Sequence, residues 1–120
     1  MEHELKYDEK NEVVVLSSNA NMRLADIEPL ANNLKILLEG KKYRQLISMI
    51  SDVYVVETRE TREALADTLS ELNLTEVAFV GGNAYNRIMA KILIKTGIVK
   101  LKGDFFKTYE EAIEWLKSKR

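Results

Sequence analysis

The sequence predicts an α/β fold built on a single, mostly parallel sheet, and three observations predict it. Short β-branched apolar runs alternate with segments of helical periodicity along the whole chain. The run Val13-Val14-Val15-Leu16 is apolar at every position, which suits a strand covered on both faces. The closing residues supply a helix start and an amphipathic helix. Thr108 and Glu111 have capping-box spacing, and Tyr109, Ala112, Ile113 and Leu116 then fall on one face. The predicted order is β-β-α-β-α-β-α-β-α, with an N-terminal antiparallel hairpin and four flanking helices.

Each element has a local cause. Leu5 to Tyr7 and Glu12 to Ser17 read as strands, and the polar Asp8-Glu9-Lys10-Asn11 between them predicts a hairpin. Ile27, Leu30, Leu34, Leu37 and Leu38 mark a helix from about Asp26 to Glu39. Pro29 sits in its expected first turn and Gly40 ends it. Gln45 to Ile50 reads as the next strand and Ser51 to Glu57 as a linking loop. Thr58 to Leu72 reads as a helix with Ala64, Leu65, Thr68, Leu69 and Leu72 inward. Val77 to Val80 is a short buried strand. Gly81-Gly82-Asn83 turns into a third helix, Ala84 to Thr96, which stops at Gly97. The last strand lies within Val99 to Phe106, where Gly103 marks a break or bulge.

The bulk properties exclude several functions. At 120 residues the chain is expected to form one domain over 1–120. With no cysteine there are no disulfides, thiolate nucleophiles or zinc–thiolate sites, which fits a reducing, cytoplasmic setting. The charged start Met1-Glu2-His3-Glu4-Leu5-Lys6 has no signal-peptide core. No apolar run approaches the roughly 20 residues of a membrane-spanning helix. A net charge of −1 gives no steering toward nucleic acid, and none is expected as a partner.

The element order, together with Phe105-Phe106 followed by Tyr109-Glu110-Glu111-Ala112-Ile113-Glu114-Trp115-Leu116, resembles the STAS-like, anti-sigma-factor-antagonist-like family. The branch it is most similar to is that of small bacterial proteins resembling the stage II sporulation AA protein. The Leu37-Leu38-Glu39-Gly40-Lys41-Lys42 junction matches more loosely. The resemblance implies a four- or five-stranded sheet flanked by helices and carries over no catalytic residue. In true antagonists an Asp ends a strand, and Asp-Ser-Ser-Gly opens the second helix eight residues later. Here Met49 stands at the first position and Glu57-Thr58-Arg59-Glu60 at the second. The resemblance therefore puts Thr58 at the phosphoacceptor position, with the small Ser-Gly pair replaced by Arg59 and Glu60.

Candidate sites come from both kinds of reading. Gly81, Gly82 and Asn83 follow a buried strand and open a helix, where ligands of open α/β sheets bind and where free N–H groups favour an anion. Arg87, one turn in, would pair with that anion. The other reading of the two glycines is a plain tight turn, for they form neither a Walker loop nor a dinucleotide fingerprint. Arg87, Lys91 and Lys95 at i, i+4, i+8 make a basic surface suited to an anionic membrane or ligand, or a solvated face. Ile88, Met89, Ile92 and Leu93, with Met22, Met49, Tyr54 and Val55, would line an apolar pocket or belong to the core. Asp52 lies at the same level, past a strand end. Thr58 is an expected helix N-cap as well as a regulatory candidate, and Arg59 with Glu63 an i, i+4 pair. Trp115 is expected to pack against the sheet. His3, the only histidine, falls in a terminal segment of a kind that is often mobile, which removes Ser-His-Asp and His-metal chemistry.

The sequence thus favours a non-catalytic binding module for a small amphiphilic or anionic ligand or a membrane surface. A regulatory protein-interaction module using Thr58 comes second. An enzyme comes last, because nucleophile–base pairs and metal ligands are missing. No cofactor or metal is expected. A protein partner or a homodimer is compatible with the exposed edge strands of such folds.

Overall fold

The computed structural model describes residues 3–18, 21–50, 58–81 and 102–120. Within them β1 (His3–Asp8), β2 (Val13–Ser18), α1 (Leu24–Leu38), β3 (Gln45–Ile50), α2 (Arg59–Glu71), β4 (Glu76–Gly81), β5 (Lys102–Phe106) and α3 (Tyr109–Ser118) follow in order. The five strands form one sheet in the order β1-β2-β3-β4-β5. The β1–β2 pair is antiparallel and all later pairs are parallel. The predicted loop over 51–57 and the predicted helix over 84–96 lie outside the described residues.

The period-2 alternation of the strands divides the core in two. Val14, Leu16, Leu46, Ile50 and Val77 pack with Ile27, Leu30, Leu34 and Leu38 of α1, and the half-buried Ala64, Leu65 and Leu69 of α2 join them. Val13, Ile47, Ala78 and Val80 pack with Ala112, Ile113 and Leu116 of α3 on the other face. β5 continues the division. Phe105 stacks on Phe79 with ring centroids 5.1 Å apart, while Phe106 meets Trp115 at 5.4 Å. Trp115 therefore packs against the sheet, as expected. Gly103 pairs with Val77 in unbroken register, so β5 has neither the break nor the bulge expected there.

Helix ends follow local chemistry. Thr58 Oγ1 accepts the Thr61 N–H at 3.0 Å, and Thr108 Oγ1 accepts the Glu111 N–H at 3.2 Å. α1 starts two residues earlier than the sequence suggested, because the Asp26 carboxylate accepts the Arg23 N–H at 2.9 Å. Pro29 consequently lies past the first turn, where its missing N–H removes one intrahelical bond. Gly40 follows α1 with φ +73°, the left-handed conformation that glycine adopts without a Cβ penalty.

One cation organises the helices on the first face. Arg44 Nε donates to Leu72 O at 3.0 Å, Nη2 donates to the same oxygen, and Nη1 donates to Leu38 O at 3.4 Å. A guanidinium thus sits on the carboxyl ends of both α1 and α2, where helix dipoles are negative. These ends lie beside the start of β3. Since α2 is about 20 Å long, its amino end lies at the opposite, carboxyl edge of the parallel strands.

The closing helix is tied to the amino edge. Gln45, 2% exposed, donates from Nε2 to Glu76 Oε1 at 2.8 Å and to Leu116 O at 2.9 Å. Its Oε1 accepts Arg120 Nε at 2.9 Å. Thr75 Oγ1 also donates to Glu76 Oε1, at 2.8 Å. The first residue of α3, Tyr109, donates its hydroxyl proton to Asp8 in the hairpin.

Replacing Arg44 with Ala should lower unfolding free energy by about 1–3 kcal/mol, by orphaning two carbonyls and removing a dipole partner. Arg44→Lys should recover part of the loss, since one ammonium cannot span both carbonyls. Urea denaturation of the two variants checks this. Equal stability of wild type and Arg44→Ala would remove the clamp.

Candidate functional site

The carboxyl ends of β2, β3 and β4, at Ser18, Ile50 and Gly81, form one edge with the amino ends of α1 and α2. Of the sequence-selected residues, Gly81 and Thr58 are described there. Asp52, Gly82, Asn83, Arg87, Lys91 and Lys95 lie outside the described residues.

Gly81 ends β4 with φ +84°, and a Cβ there would stand 2.6 Å from the Ile50 carbonyl oxygen. Its identity is thus explained by the close approach of two backbones as β3 and β4 end. Thr58 is exposed at the head of α2. Its Oγ1 lies 2.8 Å from Thr61 Oγ1 while it caps the Thr61 N–H. Thr61 itself is buried. Arg59 pairs with Glu63 at 3.1 Å on the solvent side, as the spacing predicted.

The apolar pocket read from the sequence needs correction. Met22 is fully buried in the core shared with α1, whereas Met49 faces the layer of α3. The sheet stands between them, so they cannot line one cavity.

His3 also differs from expectation. It is the first residue of β1, opposite Ser18 of β2, and only 1% exposed. Its Nδ1 lies 3.1 Å from Ser18 Oγ and its Nε2 lies 3.2 Å from Asp26 Oδ2. The three side chains that the sequence could not connect therefore meet. If Nε2 carries the proton, it donates to Asp26 and leaves Nδ1 to accept the Ser18 hydroxyl proton, the order used to activate a serine. Access argues against catalysis, because Ser18 is 2% exposed and an attacking oxygen must reach its substrate. The arrangement acts as a buried polar tie joining β1, β2 and the head of α1. Among the described residues no group of three or more His, Cys, Asp or Glu side chains is placed to hold a metal.

Electrostatics reinforce these ties. Burial pushes the Asp26 carboxyl up, but the Arg23 N–H, His3 and the Arg23 charge outweigh it and hold the pKa below the ordinary 3.8. The Tyr109 hydroxyl, followed by the Asn11 side chain, does the same for Asp8. Burial, then the hydrogen bond to Asp8, pushes the Tyr109 hydroxyl well above its usual range. At the amino edge Tyr43 lies 4.0 Å from the Arg120 guanidinium, and Tyr7 lies 4.4 Å from Lys41 Nζ. Neither the Arg44 clamp nor the Gln45 network was visible in the sequence, since each joins residues that only the sheet brings together.

This arrangement is an α/β domain with a mixed five-stranded sheet, and no helix among the described residues is long and apolar enough to cross a membrane. An uncharacterised protein of the DUF3478 family from Shewanella loihica PV-4, with a SpoIIAA-like fold, superposes with a TM-score of 0.61 at 15% identity. The match covers 95% of this chain and 91% of that one. The chain belongs to the DUF7793 family, a domain of unknown function, whose model matches residues 10–120. No curated protein matches it in sequence.

Two outcomes follow. Asp8 and Asp26 have depressed folded-state pKa values, so the stability they supply is complete above the ordinary value. It is lost as pH falls through that value toward the folded ones. The urea midpoint should therefore drop between about pH 5 and about pH 2, and less steeply in an Asp8→Asn, Asp26→Asn double variant. Gly81→Ala should cost about 1–3 kcal/mol through backbone strain and the clash with Ile50. A thermal melt of that variant coinciding with wild type would contradict the close approach.

Proposed function

We propose that this chain is a non-catalytic regulatory module that binds a protein partner through the carboxyl edge of its sheet, with Thr58 at the centre of the contact. The observation that carries the reading is the place of Thr58: an exposed residue whose hydroxyl caps the first turn of α2, on a SpoIIAA-like fold. A phosphate there would stand at the positive end of the helix dipole, within reach of free N–H groups. It would also stand one residue from Arg59, whose present partner Glu63 is itself exposed. It would draw Arg59 away from Glu63 and reverse the local charge that a partner meets.

A small anionic or amphiphilic molecule is the second proposed occupant of the same edge. Gly81, Gly82 and Asn83 would offer backbone donors, Arg87 would pair with the anionic group, and Lys91 and Lys95 would form a basic border suited to an anionic surface. This reading is supported by the general preference of open α/β sheets for ligands at their strand ends. On either reading the protein works in the cytoplasm, and the buried state of Ser18 and His3 argues against an enzyme.

Affinity capture from the native cell with wild type, Thr58→Ala and Thr58→Glu separates the readings. The protein-contact reading expects a partner whose retention differs between Thr58→Ala and Thr58→Glu by about tenfold or more. Identical retention by all three chains would overturn it.

A further inference from the structure

We infer that β1 is a self-recognition strand through which two copies of this chain join their sheets across a two-fold axis. Among the described residues, β1 pairs only with β2 and forms one edge of the sheet. An edge strand presents a row of backbone donors and acceptors, which proteins commonly guard with charge. Of the three charged residues of β1, Asp8 is held by Tyr109 and Asn11, and the other two, Glu4 and Lys6, stand in an order that matches its own reverse.

Leu5 and Tyr7 face the layer of α1, while Glu4 and Lys6 face the other side. Their side chains are 60% and 75% exposed, and they pair within the strand at 3.1 Å. An antiparallel pairing centred on Leu5 sets Leu5 against Leu5 of the partner subunit. It also sets Glu4 against Lys6 of the partner subunit, and Lys6 against Glu4 of the partner subunit. Directly opposed residues of antiparallel strands share a face, so both charge pairs form.

Neighbouring registers that keep both α1 helices on one side of the joined sheet fail. Centring on Glu4 opposes two glutamates, and centring on Lys6 opposes two lysines. The charges therefore guard the edge against arbitrary strands and select a second copy in one register. β5, the other edge among the described residues, carries Lys102 and Asp104 in a comparable order, but Gly103 stands between them, so a self-pairing there has no side chain to bury at its centre, where β1 has Leu5. The interface is isologous, so the Glu4–Lys6 charge pair occurs twice.

Sedimentation equilibrium of the full chain up to about 1 mM tests the inference. The expected result is a concentration-dependent dimer. Lys6→Glu and Glu4→Lys should each weaken it by about tenfold, because each opposes like charges twice. The double exchange Glu4→Lys, Lys6→Glu should restore it. Circular dichroism of each variant confirms folding, which exposed positions should preserve. A chain monomeric throughout, a dimer indifferent to the single exchanges, or a double exchange that fails to restore it would each overturn the inference.

Discussion

Val13 and Val14 are neighbours on one strand, and neither reaches solvent. Because adjacent strand residues point to opposite faces, that fact requires cover on both sides of the sheet. Everything else is arranged to supply it. α1 and α2 cover one face, α3 covers the other, and β4 repeats the demand through Val77 and Ala78, buried to opposite sides. A sheet of this kind leaves its rims, not its faces, for binding.

The two rims differ in how they are used. At the amino edge, polar groups are spent on holding the layers together. Arg44 joins two helix ends, Gln45 holds α3 through Leu116, and Arg120 reaches back to the hairpin carbonyls of Asn11 and Glu12. At the carboxyl edge the helices present their amino ends, where the dipoles are positive. There the His3–Ser18–Asp26 tie secures β1 without exposing its chemistry. The asymmetry follows from the parallel topology, in which α1 and α2 must each return the chain to the amino edge before the next strand begins.

Much of the architecture was legible because it is local. The span of β3 follows from an apolar run bounded by polar residues, and the caps at Thr58 and Thr108 from side chains three positions before the N–H they accept. What escaped is long-range. His3 looked like a terminal residue because its partners lie 15 and 23 positions away. Met22 and Met49 looked like companions because a sequence does not reveal which face each element turns inward. Gly81 read either as a ligand-binding glycine or as part of a tight turn, and the nearness of the Ile50 backbone that demands glycine there was not visible. Thr58 was found twice over, as a cap and by family resemblance, and the structure bears out the cap. The other candidate residues, from Asp52 to Lys95, fall outside the described residues.

The proposed function stands or falls with the carboxyl edge being a regulated contact surface. Mass spectrometric peptide mapping of the protein purified gently from its native cell, with phosphatase inhibitors present, tests that most directly. The expected result is a fraction of chains carrying one phosphate, located on Thr58. A chain with no phosphate under any growth condition, or with phosphate confined to residues away from the head of α2, would contradict it.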